Sequence, residues 1–318
     1  MGGTAHGDRH IDLPVVTVLL PTRRAALAIA GAALLGPCLG AAARGDAAPR
    51  IASLELDIAE AMLALGVAPV AMAEAARFRA LFPSAGLPSA CAELGASWEP
   101  NLERLQEIAP DRILTSADRQ LLVPLLERIA PVRVFSPDET SGRRRRGAEL
   151  LRLVGRDLDR ESEANAALAT AGARLDLLRQ RLAGRDFPPV FLVSLVEGGT
   201  HLEFYGAGCL LDDALRALGL RNACPLAMPA YGWTIAGIEH LADAPAASLL
   251  VLDFGGPTRR TLARLETGTF WRRLPPVASG RMRLVQAASV WGGISTLVSF
   301  AGEVTAALVA PDGDADGR

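Results

Sequence analysis

The residues of this chain that could do chemistry are few and stand apart. The four histidines are His6, His10, His201 and His240. The first two precede an apolar leader and the other two stand alone, whereas a metal centre needs several converging ligands. The four cysteines, Cys38, Cys91, Cys209 and Cys224, form no Cys-x-x-Cys pair. Cys209 and Cys224 flank a predicted helix, a poor geometry for a bridge, so small buried thiols are expected. No Gly-x-Ser-x-Gly, His-Glu-x-x-His or P-loop occurs, and Gly206-Ala-Gly208 opens a dinucleotide fingerprint that Cys-Leu-Leu then breaks. An enzyme is therefore not expected. What remains is mainly aromatic. Tyr231 lies in Pro229-Ala-Tyr-Gly-Trp233 and Trp291 in Ser289-Val-Trp-Gly-Gly293. Both follow loop signals, where a ring is placed for contact with a ligand more than for packing. Tyr205, just before Gly206, is a further candidate. Trp98 precedes Glu99-Pro100-Asn101, at a strand end expected to face a cleft.

The elements that must hold these rings alternate. From Gly95 to Phe135 the chain reads helix, strand, helix, strand. Asn101 is a good N-cap, Leu102, Leu105 and Ile108 recur at helical spacing, Pro110 ends that helix, and residues 112–115 form a strand. Leu121, Leu122, Leu125, Leu126 and Ile129 stripe a second helix before Pro131 and the strand 132–135. Upstream, a strand at 50–54, a helix from Asp57 to Leu65 closed by Gly66, and a strand at 69–72 complete an α/β lobe over residues 48–138. The segment 143–184 is helical. Asp157 or Asp159 can cap a helix from about Arg160 to Leu182, long enough to run beside two lobes. A second α/β lobe over 187–310 repeats the logic, with strands at 190–196, 202–205, 248–253 and 281–285 and a closing helix from Ile294 to Val309. The fold class is thus α/β, two Rossmann-like lobes joined by one long backbone helix, with a cleft between them. The tail, 311–318, reads as disordered.

Composition narrows the partners. Half of the 318 residues are hydrophobic but only 5% are aromatic, and the net charge is −2. No basic field suited to nucleic acid results. All 33 basic residues are Arg, a codon-usage trait of a GC-rich genome, and the run Arg143–Arg146 reads as a solvated loop or helix start. At the N-terminus Arg23 and Arg24 precede an apolar run from Ala25 to Leu35 and the small residues Ala41-Ala42-Ala43. Residues 1–43 therefore read as a twin-arginine signal peptide, too short in its apolar part to span a bilayer. The mature protein is expected to be soluble, monomeric and periplasmic.

Several segments in order carry a resemblance. RIASLELDIAEAMLALGVAPV, ELGASWEPNLERLQEIAPDRIL, the long helix, EFYGAGCLLDDALRALGLRNAC and TFWRRLPPVASGRMRLV resemble the helical-backbone periplasmic binding proteins of ABC importers. These carry ferric siderophores, haem and cobalamin, and the likeness is greatest to the ferric hydroxamate-binding proteins. The resemblance implies capture of an iron-siderophore complex, its delivery to an importer permease, and small lobe movement on binding. The chelated iron is cargo and no cofactor is needed. It places Tyr231 and Trp291 where the family has cleft aromatics, adds Phe78 as an aromatic of the N-lobe loop, and makes Trp271 structural. Ser97 stands where the family has an Arg, and Arg119 where it has a Tyr, so Arg119 is expected to supply the displaced charge. Glu239 matches the family's C-lobe docking acid. The N-lobe position holds Pro124, with Glu127 one turn on as a substitute. Haem and cobalamin remain alternative ligands; haem would ask Tyr231 or Tyr205 for an axial oxygen.

Overall fold

The computed structural model describes residues 49–137, 143–229, 231–287 and 289–310, all within one compact unit that runs from Ala48 to Arg318. The signal-peptide reading of 1–43 and the tail at 311–318 lie outside the described residues. The N-lobe contains β1 (Ile51–Ser53), α1 (Leu56–Ala64), β2 (Ala71–Met72), α2 (Ala75–Leu81), β3 (Ala92–Glu93), β4 (Gly95–Ala96), β5 (Glu99–Pro100), α3 (Leu102–Ile108), β6 (Arg112–Ser116), α4 (Val123–Leu126) and β7 (Val132–Phe135). Five strands form a sheet in the order β3-β2-β1-β6-β7, and every neighbouring pair is parallel. The central β1 is buried along its whole length, as a strand covered on both faces must be. β4 and β5 make a separate antiparallel hairpin.

Local chemistry explains the breaks. Gly66 takes φ 74° after α1, and the Val67 N–H returns to Met62 O at 2.9 Å, closing the helix as a left-handed cap does. The Asn101 side chain accepts the Arg104 N–H at 2.7 Å and starts α3. The leucine stripe after β6 behaves differently from its expectation. Residues Ala117–Leu122 form a 3-10 turn and only Val123–Leu126 are α-helical. Pro124 has no N–H to extend an α-ladder back into that turn. Leu121 is consequently 93% exposed, and Leu126 is the only buried member of the stripe.

Two helices link the lobes: α5 (Arg143–Asp157) and α6 (Glu161–Leu182). The expected acidic cap is not there. Arg160 occupies the N-cap of α6 with no side-chain cap, and Asp159 takes φ 55°. Asp157 instead closes α5 against the sheet, with Arg112 at 2.6 Å from β6 and Arg133 at 2.9 Å from β7. The 22 residues of α6 span about 33 Å. Ala164 packs with Ile58 and Met62 of the N-lobe, while Leu175, Leu178 and Leu182 pack with Leu192, Leu215 and Phe300 of the C-lobe. One helix therefore contributes to both cores.

The C-lobe contains β8 (Val190–Leu195), β9 (His201–Tyr205), α7 (Leu210–Ala217), β10 (Trp233–Gly237), β11 (Ser248–Asp253), α8 (Gly256–Thr267), α9 (Thr269–Arg273), α10 (Pro275–Ala278), β12 (Met282–Gln286) and α11 (Ile294–Val309). Its sheet order is β10-β9-β8-β11-β12. The lobe does not simply repeat the first: β9 runs antiparallel to both β8 and β10. The strand β10 carried no sequence signal because it lies at the sheet edge with Ile235 half exposed. Trp271 is buried in the core, as a structural residue.

The lobes meet through a buried carboxylate. Glu60 of α1 accepts the Gly293 N–H at 2.8 Å, the Thr296 N–H at 2.9 Å and the Thr296 hydroxyl at 2.8 Å. It thereby caps the first turn of α11, a helix of the other lobe, whose leading N–H groups have no partner within their own helix. Burial pushes the Glu60 carboxyl up from its ordinary pKa, while these three bonds hold it down.

Candidate functional site

A cavity of about 500 Å³ lies between the lobes. Its N-lobe wall is built at the carboxyl ends of the parallel strands. Glu55 follows β1, Glu74 follows β2 with Arg77 in the next helix α2, Ser116 ends β6 with Arg119 just after it, and Pro137 follows β7, while Ser97 and Trp98 come from the β4–β5 turn. Parallel sheets leave their loops free at that edge, which is where open α/β folds receive ligands. The helix α5 adds Arg146, and the C-lobe adds Tyr231, Trp291 and Gly292.

Three open rings stand out on the cavity's apolar surface, which Leu54, Leu56 and Phe135 also line. Trp98 is 65% exposed, Tyr231 48% and Trp291 39%. Aromatic side chains left this open in one concavity offer flat faces to a guest. Tyr231 is steadied by Trp233, with ring centroids 5.2 Å apart. The Trp291 N–H donates to Ser289 Oγ at 2.9 Å. Gly292 next to it has φ 139°, and a Cβ there would run into Thr296 Oγ1 and Glu60. Only glycine fits between the Trp291 loop and the interlobe cap.

The polar wall is a connected set. Arg119 Nη2 donates to Ser97 Oγ at 2.8 Å. Its Nε lies 3.5 Å from Glu55 Oε1, and the same oxygen accepts the Ser116 hydroxyl at 2.8 Å. Burial raises the Glu55 carboxyl to about 7, against the Ser116 hydrogen bond and the Arg119 charge, which both favour the anion. Burial outweighs both, and the neighbouring charges of Asp57 and Asp118 push in the same direction as burial. Beside it Arg77 meets Glu74 at 2.6 Å. Glu74 holds φ 55°, a conformation costly for a non-glycine residue and found preferentially at functional positions.

Five of the residues singled out from sequence come together here: Ser97, Trp98, Arg119, Tyr231 and Trp291. Two do not. Phe78 is fully buried in α2, against Phe82 at 4.8 Å between centroids. It faces the core because that is the apolar side of its helix. Tyr205 is buried on β9, and its hydroxyl donates to Glu203 Oε2 at 2.6 Å. Its place opposite Leu192 of β8 points it into the C-lobe core. Glu239, in a 3-10 turn at Ile238–Ala242, and Glu127, at the end of α4, are both exposed outside the cavity. Sequence reasoning missed Glu55, Glu74, Arg77, Ser116 and Arg146. The carboxyl-end rule for parallel strands points to the first four. Among the described residues no group of three or more His, Cys, Asp and Glu side chains is placed to hold a metal ion.

Comparison with known proteins agrees with this geometry. The sequence profile described as periplasmic binding protein matches residues 51–287. The iron(3+)-hydroxamate-binding protein FhuD of Escherichia coli strain K12 is 27% identical over 282 residues, covering 89% of this chain and 94% of that protein. Among solved structures, the siderophore-binding protein FhuD of Vibrio cholerae with Fe3+-Desferal bound superposes with a TM-score of 0.74 at 25% identity, over 82% of this chain and 98% of that one. The catecholate-siderophore binding protein VctP of Vibrio cholerae shares the fold, with a TM-score of 0.63 at 17% identity, over 83% and 94% of the two chains.

Proposed function

Because the chain belongs to the periplasmic binding protein family, we propose that it captures one iron-siderophore complex of the hydroxamate type and delivers it to the permease of an ABC importer. The observation that carries this reading is the Arg119 guanidinium resting on Ser97 inside an aromatic-walled cavity. A ferric trihydroxamate arrives with its iron already six-coordinate, so the protein need offer only flat apolar faces and donors to hydroxamate oxygens. The rings supply the faces and Arg119 the charged donor. Two proteins named for hydroxamate or Desferal complexes are among the relatives, which supports the same ligand class.

The chain acts as a receptor, not an enzyme, in this reading, and carries no cofactor of its own. It is exported through the twin-arginine leader and works as a periplasmic monomer. No helix among the described residues is long and apolar enough to cross a membrane. The exposed acids Glu239 and Glu127, one on each lobe, serve as the docking pair for arginines of the permease. Haem is the second reading, favoured by the open Tyr231 phenol at the cavity.

Fluorescence titration of the mature protein with a ferric trihydroxamate, haem and cobalamin decides among these. Quenching that saturates at one equivalent is expected with the hydroxamate alone. A Soret shift on adding haem, without response to the hydroxamate, overturns the proposal.

A further inference from the structure

Glu55 stands where a ligand must meet it, and nothing in the capture of an apolar guest requires a carboxyl there. It follows β1, the middle strand of the N-lobe sheet, so it lies at the centre of the cavity wall. Its Oε1 is engaged by the Ser116 hydroxyl and lies near Arg119 Nε. No donor among the described residues reaches its Oε2. The surroundings do not favour an anion. Asp57 and Asp118 flank it, and Glu74 faces the same cavity with Arg77 already beside it. The remaining cations are Arg119 and Arg146, and the C-lobe presents Tyr231.

We propose that Glu55 is a ligand-contacting, specificity-determining residue. It takes up a proton when a complex presenting acceptor oxygens binds, and then faces those oxygens as a second donor beside Arg119. This rests on the siderophore reading and deepens it. Iron-bound hydroxamate oxygens carry negative charge and accept hydrogen bonds. An ionised Glu55 repels them, whereas the carboxylic acid donates to them. The proton moves from solvent to Oε2, and no bond other than O–H forms or breaks. Burial pushes the free carboxyl up to about 7, so the uptake falls inside a titration from about pH 6 to about pH 8.5. Complexes that present a cationic group instead favour the anion, and their binding does not draw in the proton.

The test is the dissociation constant of a ferric trihydroxamate lacking ionisable substituents, measured by fluorescence from pH 6 to pH 8.5. For the wild type, Kd is level below about pH 7 and rises above it, by up to about tenfold per pH unit when one full proton is taken up. Glu55→Gln, which keeps a donor and cannot titrate, retains the pH 6 affinity and loses the slope. Ser116→Ala removes a bond that favours the anion, so the rise begins at higher pH; this variant serves if Glu55→Gln does not fold. Binding with a level Kd across the range, or a slope that persists in Glu55→Gln, overturns the assignment of Glu55 alone. Absence of binding at every pH overturns the siderophore reading itself, and this inference with it.

Discussion

The two lobes furnish opposite halves of one cavity. The N-lobe sheet is wholly parallel, and its strand ends deliver Glu55, Glu74, Arg77, Ser116 and Arg119. The C-lobe sheet has an antiparallel edge, and its contribution is Tyr231, Trp291 and the backbone of Gly292. Topology accounts for the difference. Each parallel strand must return through a crossover, so its carboxyl end opens into a fresh loop at the cleft. The β8–β9 pairing spends one such end on a hairpin return between Leu195 and His201, and the C-lobe reaches the cleft through fewer loops. Charge discrimination therefore belongs to the N-lobe, while the aromatic surface is shared between Trp98 of the N-lobe and Tyr231 and Trp291 of the C-lobe.

The largest effect expected comes from separating the halves. Glu60→Ala leaves the Gly293 and Thr296 donors buried without an acceptor, at a cost of about 3 kcal/mol. Calorimetry should show Tm lowered by roughly 5–10 °C; an unchanged Tm would mean the lobes cohere without this cap. Next comes the C-lobe surface. Trp291→Ala should weaken ferric hydroxamate binding by about 2 kcal/mol, roughly 30-fold, in isothermal titration. The effect should be equal for complexes of different charge, and a charge-dependent loss would blur the division between lobes.

On the N-lobe, Arg119→Ala should cost about tenfold for complexes presenting anionic oxygens. Unchanged affinity would show that the guanidinium on Ser97 is only structural. The smallest effect belongs to Tyr205→Phe. Its hydroxyl serves Glu203, which keeps Ser194 as a partner at 2.6 Å. Kd should stay within about twofold, inside the range of changes away from a binding contact. A larger change would place polar recognition in the C-lobe too.

Elements that stabilise themselves locally were readable in the sequence. The Asn101 cap, the Gly66 closure and the apolar run of β11 are written in adjacent residues, and the span of α11 was legible from its apolar spacing although Glu60 closes its first turn from afar. Elements made by distant pairing were not. β3 has two residues and exists because β2 lies beside it, and the 3-10 turn after β6 hides under a leucine stripe that suits a helix equally well. The cavity followed the same rule. Tyr231 and Trp291 stand next to Gly, and Trp98 lies in the turn two residues before Pro100, where a large ring has no helix or strand to face. Phe78 and Tyr205 sit inside regular elements, and there the face decides. Glu55 was passed over because Leu54 and Leu56 on either side make it look like an interruption in a core run. The resemblance to ferric hydroxamate-binding proteins brought Ser97 and Arg119 forward, and the structure places them in contact.

The carboxylate that completes α11 from the opposite lobe limits how this receptor can be rebuilt. A graft that exchanges one lobe for a relative's, in order to mix ligand preferences, cuts between Glu60 and its partners Gly293 and Thr296. Gly292, which touches that cap on one side and borders the ligand cavity on the other, would shift with it. A working chimera must carry Glu60, Gly292 and Thr296 as one inherited set, even though more than 230 positions of sequence separate the first from the last.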